Sequence, residues 1–159
     1  TEGSSMEARR PFDVIEHFRQ AAKVVSLPAG VELFRSGDPG EVMYVVMEGY
    51  ANILVGSTIV EIAGPGSLLG EMALVDQKPR SATVVTRTRS RLVPIGVAEF
   101  DLLVHETPAF SRYVLKAVVE RLRRMNENLG AVQRLEGVNV RVTANTSRSM
   151  EESAPRATH

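Results

Sequence analysis

The sequence contains no cysteine and no tryptophan, and its three histidines, His17, His105 and His159, are widely separated along the chain. Without cysteine, disulfides and thiolate metal ligands are excluded. Histidines this far apart do not form the closely spaced ligand pattern of a zinc site. We therefore expect no metal centre and no metal-dependent enzyme.

Long apolar runs are also missing, as is an excess of charge of either sign. No stretch approaches the roughly 20 apolar residues of a membrane-spanning helix, and residues 1–6 lack the charged-then-apolar order of a secretory signal. Lysine plus arginine and aspartate plus glutamate each total 19, so the formal net charge is zero. The composition predicts a cytoplasmic chain without a membrane span and without a general attraction for nucleic acid.

The 159 residues are predicted to form one folded domain with flanking segments. Apolar residues recur at helical spacing over Pro11–Lys23, and short β-rich runs separated by glycine or proline fill residues 24–94. Helical spacing returns over Val97–Val104 and Pro108–Leu129. This order predicts a mainly β fold, an antiparallel sandwich or barrel flanked by helices.

One segment, from Gly70 to Val84, gathers an informative set of polar groups. Gly70 precedes a helix-compatible run, whose first amides would lack helical partners and attract an anion. Arg80 carries a planar guanidinium that can donate two parallel hydrogen bonds to a phosphate, and Ser81 adds a hydroxyl. Glu71 would repel a phosphate, so its carboxylate is suited to accept hydrogen bonds from sugar hydroxyls. The segment therefore predicts a site for a ribose phosphate.

The order Gly-Glu-x-Ala-Leu, a short spacer and Pro-Arg-Ser-Ala-Thr-Val resembles the phosphate-binding cassette of cyclic nucleotide-binding domains, as found in bacterial catabolite-activator proteins, cyclic-nucleotide-dependent kinases and gated channels. The resemblance extends over roughly Phe12 to Leu129 and assigns the segments Leu27–Asp38 and Tyr44–Gly49 to the scaffold. It implies an antiparallel β-roll or jelly-roll barrel, a double-stranded β-helix, with an N-terminal helix and C-terminal helices. Leu69 departs from the family pattern, which often has an aromatic residue at that position.

The resemblance also implies a role for individual cassette residues. Arg80 would bind the exocyclic phosphate oxygens, Glu71 would accept a hydrogen bond from the ribose 2′-hydroxyl, and Ser81 would contact the phosphate. Gly70 and Ala73 would offer backbone groups. The complete predicted ligand-binding set is Gly70, Glu71, Met72, Ala73, Arg80, Ser81, Ala82 and Asn126.

The sequence indicates the phosphate of the expected ligand more clearly than its base. In kinase-like members of the family a hydroxyl residue directly after the cassette arginine favours guanine, and Ser81 occupies that position. Catabolite-activator-like proteins also have serine there and bind adenine. Because the long C-terminal helix resembles that of the latter group, the expected ligand is cAMP, with cGMP as the alternative.

The long helix predicted at Pro108–Leu129 has two interpretations. Its pattern suits either packing on the chain's own sheet or a parallel homodimer, and the resemblance to catabolite-activator proteins implies the homodimer. On the same alignment Asn126 falls where those proteins bring helix residues over the purine, although a solvated asparagine fits the pattern equally well. The apolar residues, at alternating gaps of three and four, are Leu115, Val118, Leu122, Met125, Leu129 and Val132.

Residues 131–159 do not supply the three helices and basic recognition face of a helix-turn-helix domain, so no direct DNA binding is expected. From Asn139 onward the chain is polar without an apolar period and is predicted to be flexible, with Val138, Val140 and Val142 as a brief edge strand. The expected division is a flexible N-terminus (1–10), a cyclic nucleotide-binding domain (11–130) and a flexible tail (131–159).

Three classes of function are compatible with these features. The favoured class is a signalling sensor in which the nucleotide changes the position of the C-terminal helix and so alters a surface seen by a protein partner, which the residues do not identify. A second is a degenerate cyclic nucleotide-binding-like fold that serves as a protein-interaction module. An enzyme would need a metal cluster or an activated nucleophile with a base in reach. Neither is visible in the sequence, so we expect a regulatory domain and not an enzyme.

Overall fold

The computed structural model describes residues 11–151, and for residues 132, 133 and 135–151 it describes the backbone alone. The elements in chain order are helix α1 (Val14–Phe18), strands β1 (Val25–Leu27), β2 (Glu32–Phe34), β3 (Val42–Glu48), β4 (Ala51–Val55), β5 (Thr58–Ala63) and β6 (Leu68–Leu69), helix α2 (Glu71–Asp76), strands β7 (Thr83–Thr86) and β8 (Ser90–Gly96), and helices α3 (Val97–Glu106) and α4 (Pro108–Glu151). The predicted order, with β structure between an N-terminal helix and C-terminal helices, is confirmed. The predicted flexible N-terminus lies outside the described residues.

The strands form two four-stranded sheets in which all pairs are antiparallel. One sheet has the order β1, β8, β3, β6, and the other has the order β2, β7, β4, β5. The chain changes sheet at every step between consecutive strands except from β4 to β5, and this repeated crossing produces a roll. The predicted β-roll is therefore confirmed, but the two sheets do not close into a barrel: within the described residues, no strand pairing joins one sheet to the other.

The core has two parts because side chains of a strand alternate between its two faces. On β3, Met43 and Val45 belong to a cluster that includes residues of the helices, such as Phe18 and Phe110. Val46, on the opposite face, belongs to a cluster with residues from both sheets. The first sheet is thus the middle layer, with helices on one side and the second sheet on the other. The members of the cluster between the sheets are Val46, Ala51, Ile53, Ala63, Leu69, Val84 and Leu92.

Helix α1 is shorter than the predicted helix over Pro11–Lys23. Its start is fixed by Asp13, whose side chain accepts hydrogen bonds from the backbone amides of Ile15 and Glu16, each at 3.1 Å. The helix ends at Phe18, where Arg19 is the C-cap. Val14 and Phe18 already bury the apolar face of this short helix, so the core needs no further turn.

The chain separates into two compact units, residues 1–117 and 118–159. The first contains both sheets, and the second continues helix α4 to Glu151. The predicted helix end at Leu129 and the predicted edge strand over Val138–Val142 are therefore wrong: these residues are helical. The physical reason is that no proline interrupts the chain between Pro108 and Pro155, and a polar sequence without an apolar period can still be helical. The division at residue 130 and the flexibility of the tail stay predictions.

None of the helices within residues 11–151 is both long enough and apolar enough to cross a lipid bilayer. The predicted cytoplasmic location stays a prediction.

Candidate functional site

The cassette segment forms a turn and a short helix at the end of β6. Gly70 has a φ of 78° and is the N-cap of α2, where no side chain supplies the capping hydrogen bond. Glycine adopts this left-handed conformation without the steric cost of a Cβ atom, which favours it at the turn. The helix covers Glu71–Asp76 and ends at Gln77, whose φ of 56° is also left-handed. The predicted helical run after Gly70 is confirmed.

Arg80 is buried, with only 7% of its surface exposed. Its Nη2 donates to the carbonyl oxygen of Val42 at 2.6 Å, and its Nη1 donates to the carbonyl oxygen of Gly70 at 3.2 Å. Its Nε is buried and has no hydrogen-bond partner in the described part of the chain. The guanidinium is therefore desolvated but not fully hydrogen-bonded, a condition that favours an added acceptor.

The electrostatic surroundings of Arg80 reflect the same burial. Loss of solvent lowers the pKa of Arg80 from its ordinary value, and the nearby Tyr44 and Asp38 oppose this effect. Within the described residues Arg80 forms no ion pair, and its hydrogen-bond acceptors are neutral backbone carbonyls. A buried cation in this state attracts an anion that reaches it.

The guanidinium lies in a narrow slot, which we call the arginine slot and define by Phe34, Gly40 and Gly70. Cζ of Arg80 lies 4.1 Å from the centroid of the Phe34 ring, a cation–π contact. A Cβ atom added at Gly40 would lie 2.6 Å from Nε of Arg80, and one added at Gly70 would lie 2.3 Å from Nη1. Both glycines are therefore required to leave room for the side chain.

The loop between β2 and β3 also holds the backbone of Arg80. The amide of Gly37 donates to the carbonyl oxygen of Arg80, and the amide of Arg80 donates to the carbonyl oxygen of Asp38, both at 2.8 Å. With the ring of Phe34 and the carbonyl of Val42, the segment from residue 34 to residue 42 contacts Arg80 on several sides. The sequence analysis assigned this region to the scaffold and missed its role at the site. The turn sequence at residues 37–40, Gly-Asp-Pro-Gly, was the available signal.

Two other predicted binding residues of the cassette, Glu71 and Ala73, are buried like Arg80. Glu71 directly follows Gly70, whose carbonyl accepts from Arg80, and it is fully buried with 0% exposure. Ala73 is also buried, and its Cβ lies beside Gly40 at the slot. Arg80 and Glu71 therefore both lie inside the fold and not in bulk solvent, as the ribose-phosphate hypothesis requires.

The remaining members of the predicted set are more exposed. Ser81 is exposed, and its hydroxyl lies 3.8 Å from the sulfur of Met72, which is itself exposed. Ala82 is half-buried and packs against the cluster between the sheets. Asn126 is exposed on helix α4 and belongs to the second compact unit. The structure thus brings Ser81 and Met72 together, and the binding roles of all these residues stay predictions.

The described residues contain no group of three or more histidine, cysteine, aspartate or glutamate side chains that could hold a metal ion. The chemistry of the site is instead that of a desolvated guanidinium, from Arg80, and a buried carboxylate, from Glu71. The guanidinium suits an oxyanion, and the carboxylate suits a hydroxyl donor. Together they match a molecule that carries both an oxyanion and a hydroxyl group.

Curated relatives of the chain come from two kinds of protein. A cyclic nucleotide-gated potassium channel of Mesorhizobium japonicum is 35% identical over 108 residues, a match that covers 68% of this chain and 30% of the channel. The CRP-like cAMP-activated global transcriptional regulator of Mycobacterium tuberculosis is 29% identical over 112 residues, which cover 66% of this chain and 49% of the regulator. The chain therefore spans less than half the length of these relatives.

A solved structure and a family model agree with these relatives. The crystal structure of Thermus thermophilus catabolite activator protein matches with a TM-score of 0.62 at 26% identity, covering 70% of this chain and 55% of that chain. The family model for the cyclic nucleotide-binding domain matches residues 24–107, which include both sheets, the cassette and the arginine slot. The chain belongs to the cyclic nucleotide-binding domain family.

Proposed function

We propose that this chain is a cyclic nucleotide sensor in which Arg80 binds the cyclic phosphate. The observation that carries the proposal is the burial of Arg80 in the arginine slot, with Nε lacking a partner among the described residues. A buried, incompletely hydrogen-bonded guanidinium binds a phosphate with charge-assisted hydrogen bonds, about twice as strong as those between neutral groups. The phosphate of a cyclic nucleotide carries a single negative charge, which matches a single arginine.

The other end of the ligand would be bound by Glu71. Its carboxylate is buried one residue after Gly70, and we propose that it accepts a hydrogen bond from the ribose 2′-hydroxyl. Gly70 and Ala73 would contribute backbone groups, and Ser81 would contact the phosphate from the exposed side. This assignment places the carboxylate at the sugar and keeps it away from the phosphate.

We propose cAMP as the preferred nucleotide and retain cGMP as the alternative. One finding supports cAMP: the Mycobacterium tuberculosis relative is a cAMP-activated regulator. Ser81 does not separate the two bases, because serine directly after the cassette arginine fits both groups of family members.

We propose that the nucleotide acts on helix α4, and that α4 also pairs with a second copy of the chain. The first turns of α4 are connected to the turn that precedes β6, because the hydroxyl of Tyr113 donates to the carbonyl oxygen of Gly66, two residues before β6. Further along α4, Leu122, Met125 and Leu129 are exposed by 55%, 63% and 57%. Their spacing of three and four residues is typical of a coiled-coil seam, which a homodimer would bury.

A second candidate function is a protein-interaction module that binds no nucleotide. One observation favours it: the carbonyl oxygens of Val42 and Gly70 already accept hydrogen bonds from Arg80, which reduces the cost of a buried guanidinium without an anion. Both candidates are regulatory, and we propose neither as an enzyme.

The deciding experiment is calorimetric titration of the chain with cAMP and with cGMP. Arg80→Ala should weaken nucleotide binding by about 2–5 kcal/mol, because it removes one partner of a buried charge pair. Arg87→Ala is the matched control, since Arg87 is exposed and donates to the side chain of Asn52 on the surface. If neither nucleotide binds to the unmodified chain at high micromolar protein, the sensor proposal is wrong and the interaction module is favoured.

A further inference from the structure

We propose that Phe34 is a positioning residue for Arg80, and that the face of its aromatic ring, rather than its bulk, keeps the guanidinium aimed into the phosphate site. Cζ of Arg80 lies 4.1 Å from the ring centroid. A cation over a ring face is attracted by the negative face of the π system, and desolvation strengthens this attraction. Arg80 is buried enough for the attraction to matter.

The arginine slot restricts the guanidinium on its other sides. Gly40 leaves no more than the space of the guanidinium itself, because a Cβ there would lie 2.6 Å from Nε and 2.7 Å from Cζ. The carbonyl oxygens of Val42 and Gly70 fix its two terminal nitrogens. With these groups in place, the ring of Phe34 determines whether the guanidinium stays flat in the slot or tilts out of it.

The ring of Phe34 is itself held in position. It stacks on Tyr44, with centroids 6.5 Å apart and an interplanar angle of 22°, and it packs against the cluster between the sheets. Phe34 is the last residue of β2, which pairs with β7 a few residues after Arg80. Two strands of one sheet therefore fix the ring and the backbone of the arginine relative to each other.

If Phe34 only filled the core, a leucine at this position would lower stability through the lost volume but would have no specific effect on Arg80. The positioning role predicts instead that Phe34→Leu loses the attraction for the guanidinium, whereas Phe34→Tyr retains it because tyrosine keeps the ring face. The inference that Phe34 affects nucleotide affinity rests on the proposed function; the inference that its ring holds Arg80 does not.

The test combines nucleotide binding with a double-mutant cycle on the full chain without ligand. For Phe34→Leu the Kd for cAMP should rise about fivefold, whereas for Phe34→Tyr it should stay within about twofold of the unmodified chain. In thermal unfolding without nucleotide, Phe34→Leu should lower the Tm by about 3 °C more in the Arg80 background than in the Arg80→Met background. The excess measures the contact between the ring and the guanidinium.

Phe12→Leu is the matched control, because Phe12 is also half-buried and packs edge-on against Tyr113, with ring centroids 5.7 Å apart. It should lower the Tm without changing the Kd for cAMP. Equal losses of affinity for the leucine and tyrosine variants at position 34 would overturn the proposal, and so would additive Tm changes in the cycle. If the unmodified chain binds neither nucleotide, the sensor proposal fails, while the cycle still decides whether Phe34 holds Arg80.

Discussion

Gly40 and Arg80 are in direct contact across the arginine slot. The φ of Gly40 is outside the left-handed region, so alanine fits its backbone, but the added Cβ would lie 2.6 Å from Nε of Arg80 and 2.8 Å from the Cβ of Ala73. Gly40→Ala should therefore fold and displace the guanidinium. Overpacking of this kind costs about 1–3 kcal/mol, and the ligand would meet this cost when it draws the displaced guanidinium back into the slot. The Kd for cAMP should therefore rise roughly fivefold or more in calorimetric titration.

The control for this substitution is Gly96→Ala. Gly96 has a φ of −77°, and a Cβ there would meet no atom within 4 Å. The same change of one methyl group should leave nucleotide affinity unaltered. Normal binding by the Gly40→Ala variant would show that the observed position of Arg80 is not the one used for the ligand.

Glu71 is predicted to distinguish ribose from deoxyribose. A hydrogen bond to a charged group contributes about 1.5–3 kcal/mol, so the unmodified chain should bind cAMP roughly tenfold or more tightly than 2′-deoxy-cAMP. Glu71→Gln should reduce this ratio to below about threefold, because an amide oxygen is a weaker acceptor than a carboxylate. Competition titrations with the two ligands measure the ratio. Glu99→Gln, at an exposed position on α3, should preserve it, and an unchanged ratio in the Glu71 variant would exclude the proposed role.

The parts of the site that could be predicted from the sequence are those with local signals. Gly70, the helix after it and the position of Arg80 follow from a glycine turn and a short motif. Phe34, at the end of β2, and Gly40, in the loop after it, were missed because they approach Arg80 from a segment far away in the chain. The bond from Arg80 to Val42 spans 38 residues, and nothing in the local sequence of either residue indicates it.

In the fold, too, the features with local sequence signals could be predicted, and those set by contacts between distant residues could not. Alternation and turn residues predicted the strands, and antiparallel pairing followed from their short spacing. Whether the two sheets close into a barrel depends on contacts between strands distant in sequence. The strand pattern therefore left a sandwich and a barrel open, and the structure has a roll whose sheets are not closed. The error at the end of α4 has another origin: residues after Leu129 lack an apolar period, which indicates an unburied segment but does not exclude a helix.

Tyr113 connects the start of α4 to the turn that leads into β6. Its hydroxyl donates to the carbonyl oxygen of Gly66, whose amide in turn donates to the carbonyl oxygen of Val46 at 2.8 Å. Tyr113→Phe should lower the free energy of unfolding by about 1 kcal/mol, because it removes one partly buried hydrogen bond. Urea unfolding measures this change. Tyr50→Phe, in which the ring is half exposed, should have no effect, and equal stabilities of the two variants would mean that the Tyr113 bond contributes nothing.

The apolar residues of α4 predict how the chain associates. Leu122, Met125 and Leu129 are all more than half exposed, and burying a leucine side chain contributes about 1.5–3 kcal/mol. In a symmetric dimer each substitution acts twice, so Leu122→Glu should raise the dimer Kd by roughly a hundredfold or more, as measured by sedimentation equilibrium. Arg123→Gln alters the charge by the same amount at the next position, which faces a different direction on the helix, and it should leave the dimer intact. If the unmodified chain sediments as a monomer, or if both variants dimerise equally, the exposed leucines of α4 do not form a seam between two copies.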